Sequence, residues 1–139
     1  MKWLLFIWQL PQCLLALVLI GKDKLKFRQS IRNRPIYSGP MNYGISLGQY
    51  ILMGDFDFQP GSDPCVSYHE WGHTRQSLYL GWLYLLIVGL PSIVMNMMSS
   101  RSLLHGSGKF NANYYNRWPE SWADKLGGVR HGSDGTRLV

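Results

Sequence analysis

The sequence predicts a mainly α-helical domain with one short β element and two apolar segments that associate with a membrane. Three observations predict it. Two apolar runs, residues 3–20 and 82–98, dominate a chain of 139 residues whose charged fraction is 16%, against about 25% in ordinary soluble domains. Between them, residues 64–80 lie between a helix start signal at Asp63-Pro64 and a stop signal at Gly81. Ahead of that stretch, residues 44–58 combine β-branched and aromatic side chains with glycines at intervals, as a strand would. A chain of this length builds one modest core.

From Trp3 to Ile20 the run WLLFIWQLPQCLLALVLI is close to the length that spans a hydrocarbon core of about 30 Å as a helix. Gln9, Pro11 and Gln12 interrupt it. It ends in Ile20-Gly21-Lys22 without a small-residue cleavage site, so residues 1–21 are expected to stay attached as a membrane-associating segment. A basic connector follows over residues 22–43. Its Lys22, Lys24, Lys26, Arg28, Arg32 and Arg34 are opposed only by Asp23, and each suits an anionic headgroup by about 1 kcal/mol. If the first run spans, this excess sets residues 22–34 on the cytoplasmic side.

The connector ends in PIYSGPMNY, residues 35–43. Residues 44–58 then read as one kinked strand or a short hairpin, and an edge strand beside a helix can bind an extended peptide by strand addition. Asp63 or Ser62 caps the following helix, with Pro64 at its first position. The apolar run 82–98 is broken at Gly89-Leu90-Pro91, and residues 99–113 read as a loop. Pro119 starts a short helix that Gly127-Gly128 ends. Residues 130–139 read as a disordered tail.

The net charge of +6 is unaccompanied by a phosphate loop, a zinc knuckle or an RNP-like pattern, so lipid rather than nucleic acid is the expected partner. Cys13 and Cys65 are too few for a disulfide framework and lack C-x-x-C spacing. Cys13 reads as a small buried hydrophobe and Cys65 as a spectator ahead of the motif helix.

The chain has two glutamates, and each sits in a pattern that carries chemistry. Glu70 lies in His69-Glu70-Trp71-Gly72-His73, an H-E-x-x-H motif. At 3.6 residues per turn the two histidines share a helical face and can grip one zinc ion, while Glu70 projects about 100° away. A carboxylate there suits a general base acting on zinc-bound water. A catalytic zinc needs a third protein ligand. Gln76 and Tyr79 stand where an extended H-E-x-x-H-x-x-G-x-x-H motif needs glycine and histidine, which excludes that source. Glu120 is the remaining glutamate. It opens Glu120-Ser121-Trp122-Ala123-Asp124, where Asp124 shares its helical face and can accept the second N–H of a ligating histidine.

These residues resemble the gluzincin metallopeptidases typified by thermolysin, in which H-E-x-x-H is followed downstream by E-x-x-x-D. The resemblance implies a zincin-like core over residues 44–129, with His69, His73 and Glu120 as zinc ligands, Glu70 as general base and Asp124 as the carboxylate that orients a histidine. Residues 68–92 and 114–129 also look like small bacterial membrane-associated proteins carrying the same motifs, which implies a bacterial cytoplasmic membrane with the site facing the cytoplasm. Pro119 departs from the Asn that usually precedes the glutamate. The expected reaction is peptide-bond hydrolysis, on a peptide or protein substrate. If one metal is shared, residues 82–98 cannot simply cross a bilayer between His73 and Glu120; they must kink at Gly89–Pro91 and return, lie in the interface, or enter the core.

Further candidates surround the motifs. Tyr114, Tyr115 or His105 could stabilise an oxyanion, and Arg75 or Arg117 could meet a substrate carboxylate. His131 in the tail is expected to be free. The rival reading is a non-catalytic small membrane protein, either without metal or with a structural site closed by Cys65 or His105.

Overall fold

A computed structural model describes residues 2–104, 117–131 and 137–139. Helix dominates, and a small four-stranded mixed sheet supplies the main β component. The first apolar run forms two helices, α1 (Lys2–Trp8) and α2 (Leu10–Lys22). They part at Gln9, and Pro11 falls in the first turn of α2, where its missing N–H costs no helical bond. Thirteen residues make α2 about 20 Å long. Among the described residues no single helix is long and apolar enough to cross a membrane.

Residues expected as a basic connector instead form a hairpin. Strands β1 (Lys26–Ile31) and β2 (Arg34–Gly39) pair antiparallel about Arg32-Asn33, both at positive φ, a turn whose twist matches that of the strands. β1 is exposed along most of its length, so its polar sequence never shows the alternation that marks a half-buried strand. The element expected over residues 44–58 is a short hairpin of β3 (Ile45–Leu47) and β4 (Tyr50–Gly54), followed by a 3-10 turn at Asp55–Phe58. The sheet order is β1-β2-β4-β3, with β2 parallel to β4 and β3 on the far edge.

Alternation along β4 sets the layers. Leu52 joins Ala16, Leu25 and Leu47 on the side of α2, while Ile51 and Met53 join Ile36 on the other side, against Val66 and Trp71 of helix α3 (Cys65–Leu80). At the start of α3, Asp63 Oδ1 accepts from the Cys65 N–H at 2.8 Å. The helix stops at Gly81, whose φ is 53°. The chain then bends by 119° between Leu83 and Leu85, rather than at Gly89–Pro91. A π-helical stretch, Leu85–Gly89, leads straight into α4 (Leu90–Leu104), its wider turn preceding a proline nitrogen that has no hydrogen to donate. Pro119 precedes the expected short helix α5 (Glu120–Gly127), which Gly128 closes in the left-handed region. In the tail, Arg130–His131 pairs with Arg137–Leu138 in a minimal ladder.

The helices distribute polarity against the usual rule. α2 buries Gln12, Cys13 and Ala16 and exposes Leu14, Leu15, Leu17 and Val18. Each such aliphatic side chain, about half exposed, forgoes part of the roughly 1.5–3 kcal/mol that full burial contributes. α3 turns inward His69, Glu70, His73, Thr74, Gln76 and Ser77.

Candidate metal centre

Helices α3 and α5 pack against each other more extensively than any other pair of elements. Two glycines permit it. A Cβ on Gly72 would lie 1.9 Å from the carbonyl oxygen of Ala123, and one on Gly127 would lie 2.3 Å from that of Tyr68. Neither contact is with a side chain that can swing aside. The close approach lays Glu120 and Asp124, one turn apart on α5, across His69 and His73, one turn apart on α3.

Three donor atoms converge. Glu120 Oε2 is 3.0 Å from His69 Nε2 and 3.1 Å from His73 Nε2, and the two Nε2 atoms are 3.2 Å apart. Donors around a tetrahedral ion with bonds of about 2.0–2.1 Å stand roughly 3.3 Å apart, so this triangle approximates one face of such a shell. His69, His73 and Glu120 are all buried and lie close enough to bind one metal ion.

The far side of each ring is held by an acceptor. His69 Nδ1 lies 2.7 Å from Asp124 Oδ1, and His73 Nδ1 lies 2.7 Å from Gln76 Oε1. Gln76 in turn donates from Nε2 to the Pro119 carbonyl at 2.8 Å, tying α3 to the residue just before Glu120. Once neutral, rings with Nδ1–H engaged in this way present their Nε2 lone pairs to the shared centre. The other carboxylate oxygen of Glu120 accepts from Ser92 Oγ on α4. The segment 82–98 therefore returns to the site.

Charge is arranged to suit a cation. Burial works against a charged His69, but its bonds to Asp124 and Glu120 outweigh that and push its pKa up to about 9. Burial alone would raise Glu120; the hydrogen bonds from His69 and His73 hold it well below the usual carboxylate range.

Glu70 stands beside this group and outside it. Its Oε2 accepts from Ser46 Oγ at 2.8 Å, and the same hydroxyl lies 2.7 Å from its backbone carbonyl. Ser46 belongs to the edge strand β3. Tyr84, at the bend, donates to the Ser46 carbonyl at 3.1 Å from a buried position. Burial first, then the nearby charges of Glu70 and Glu120, push the Tyr84 pKa well above its ordinary value, so the phenol keeps its proton.

The structure thus brings together His69, His73, Glu120 and Asp124, with Glu70 alongside. His105, Tyr114 and Tyr115 fall outside the described residues. Cys65 does not join the donor group, and among the described residues no fourth His, Cys, Asp or Glu does. Arg75 lies over the Trp71 and Tyr79 rings and donates to the Tyr79 hydroxyl. Arg117 is exposed. Arg32, grouped by sequence with the lipid-facing cations, instead stacks on Tyr68 and Trp71 and donates to the Gly127 carbonyl at 3.2 Å.

Sequence reasoning missed Gln76, Ser46, Tyr84, Ser92 and the two contact glycines. Gln76 follows His73 by three residues and so shares its face, a signal available in the sequence. Tyr84 and Ser92 offered only their rarity as polar groups in an apolar run. No protein-family model, curated protein or solved structure matches this chain.

Proposed function

We propose that this protein is a membrane-associated, zinc-dependent peptidase with a minimal gluzincin-like core. The observation that supports it most is the shared centre: two imidazole nitrogens and one carboxylate oxygen 3.0–3.2 Å apart, with a second carboxylate beside them and outside the donor set. Two nitrogens and one oxygen form a donor set that suits zinc, and three protein ligands leave a coordination position for substrate or water. A zinc ion held there by His69, His73 and Glu120 would activate water for attack and polarise a substrate carbonyl.

The chain's own groups supply the rest. Glu70, anchored through Oε2 to Ser46, takes the proton from the attacking water and returns it to the leaving amine. Asp124 and Gln76 hold the two rings in the ligating tautomer. Tyr84 is a positioning residue that ties β3, and with it Ser46, to the bend behind Glu70. The same reading sets the protein on a bacterial cytoplasmic membrane with this site toward the cytoplasm.

Glu70→Gln tests the chemistry apart from the metal. Cleavage of a mixed peptide library, followed by mass spectrometry, should fall by about 10²–10⁴-fold in the variant while zinc content stays at the wild-type level. Undiminished cleavage of every peptide with zinc retained overturns the assignment.

A further inference from the structure

We infer that the outer faces of α1, α2, the bend and α4 form one surface that seats in a single leaflet of an anionic phospholipid bilayer, lying in its plane and not crossing it. The first support is inverted polarity. α2 turns Gln12, Cys13 and Ala16 inward and Leu14, Leu15, Leu17 and Val18 outward. α4 repeats the pattern, for Ser92 reaches in to Glu120 while Leu90, Ile93, Val94 and Met97 stay exposed. A helix made for water presents the opposite faces.

The two regions are joined into one surface. Trp8 Nε1 donates to the Leu78 carbonyl at 2.8 Å, and Trp82 Nε1 donates to the Ile7 carbonyl at 2.9 Å, so α1 lies against the bend. Both indoles have their N–H satisfied internally and remain about half exposed. Aromatic rings of this kind settle at the headgroup level of a membrane.

Charge and length select the occupant. α2 runs out into Lys22, Lys24 and Lys26, all exposed. Anionic headgroups neutralise these lysines. α1 and α2 measure only about 10 and 20 Å and are parted at Gln9, which suits in-plane seating at the headgroup boundary.

Flotation of the purified full chain with preformed sealed vesicles tests this. One set is phosphatidylcholine alone; the other contains phosphatidylglycerol. The protein should float with the anionic set, and Lys22→Gln/Lys24→Gln/Lys26→Gln should weaken that binding by about a hundredfold. Leu17→Asp/Ile93→Asp should not float, while keeping wild-type circular dichroism and metal content. Trypsin added outside should reach both the 22–34 stretch and Arg130 in bound protein. Flotation indifferent to lipid charge, a discrete dimer that ignores vesicles, or protection of either segment overturns the inference. His73→Ala should float like wild type, so a failure here is separable from a failure of the metal site.

Discussion

Asp124 and Gln76 are outside the three-donor group, yet they decide how His69 and His73 present their Nε2 atoms. Replacing either, as Asp124→Asn or Gln76→Leu, should weaken zinc affinity by about 10–100-fold, read by competition with a chromophoric chelator. Affinity unchanged in both would mean that the rings are fixed by packing alone. The same residues give the metal-free protein a definite pH profile. His69 binds its proton more tightly folded than unfolded, its pKa rising from 6.5 to about 9, so its stabilisation is complete below pH 6.5 and lost as pH rises through 9. Glu120 is shifted the other way, and its contribution is present above 4.5 and lost in acid. With chelator present, the melting temperature should therefore peak between pH 4.5 and 6.5 and fall toward 9, whereas zinc should lift the alkaline side because metal displaces the His69 proton. A melting temperature that climbs from pH 6.5 to 9 in chelator contradicts this. His69, Glu70, His73, Glu120 and Asp124 were legible in the sequence because helical periodicity turns spacing into a shared face. Ser46, Tyr84 and Ser92 were not, because their place at the site depends on how three other elements pack against α3.

Among the elements, the α3–α5 contact carries the site, and Gly72 carries the contact. Gly72→Ala sets a methyl group 1.9 Å from a backbone oxygen, so α5 must move away by more than an ångström. Overpacking of this kind costs about 1–3 kcal/mol, and here it also pulls Glu120 off the histidines. Zinc binding should be lost while the sheet survives, seen as a lower melting temperature with strand signal retained in circular dichroism. Wild-type affinity in this variant would show that the helices tolerate a wider gap. Helices α3 and α5 were readable from Asp63-Pro64, Gly81, Pro119 and Gly128. The β1–β2 hairpin was hidden because an edge strand with nearly every side chain exposed has no alternation to detect. Gly89-Leu90-Pro91 looked like the natural break in the second apolar run, but Gly81 releases the chain earlier and the bend falls beside Tyr84, within reach of the site.

Taken whole, the molecule turns its polar side chains inward around α3 and sets large apolar ones outside on α1, α2 and α4. The interior around α3 thereby holds the histidine–carboxylate cluster, and the surface inferred to meet lipid lies outside it. The chain resolves the apparent conflict between a second apolar run and a shared metal site by bending near the start of that run and bringing Ser92 back onto Glu120. The central claim is one metal held jointly by α3 and α5, and metal content measured by mass spectrometry tests it most directly, on wild type, His73→Ala and Glu120→Ala purified and reconstituted alike. One zinc per wild-type chain is expected, with its loss from both variants. Zinc retained in Glu120→Ala at the wild-type level, or absent from all three proteins, would contradict it.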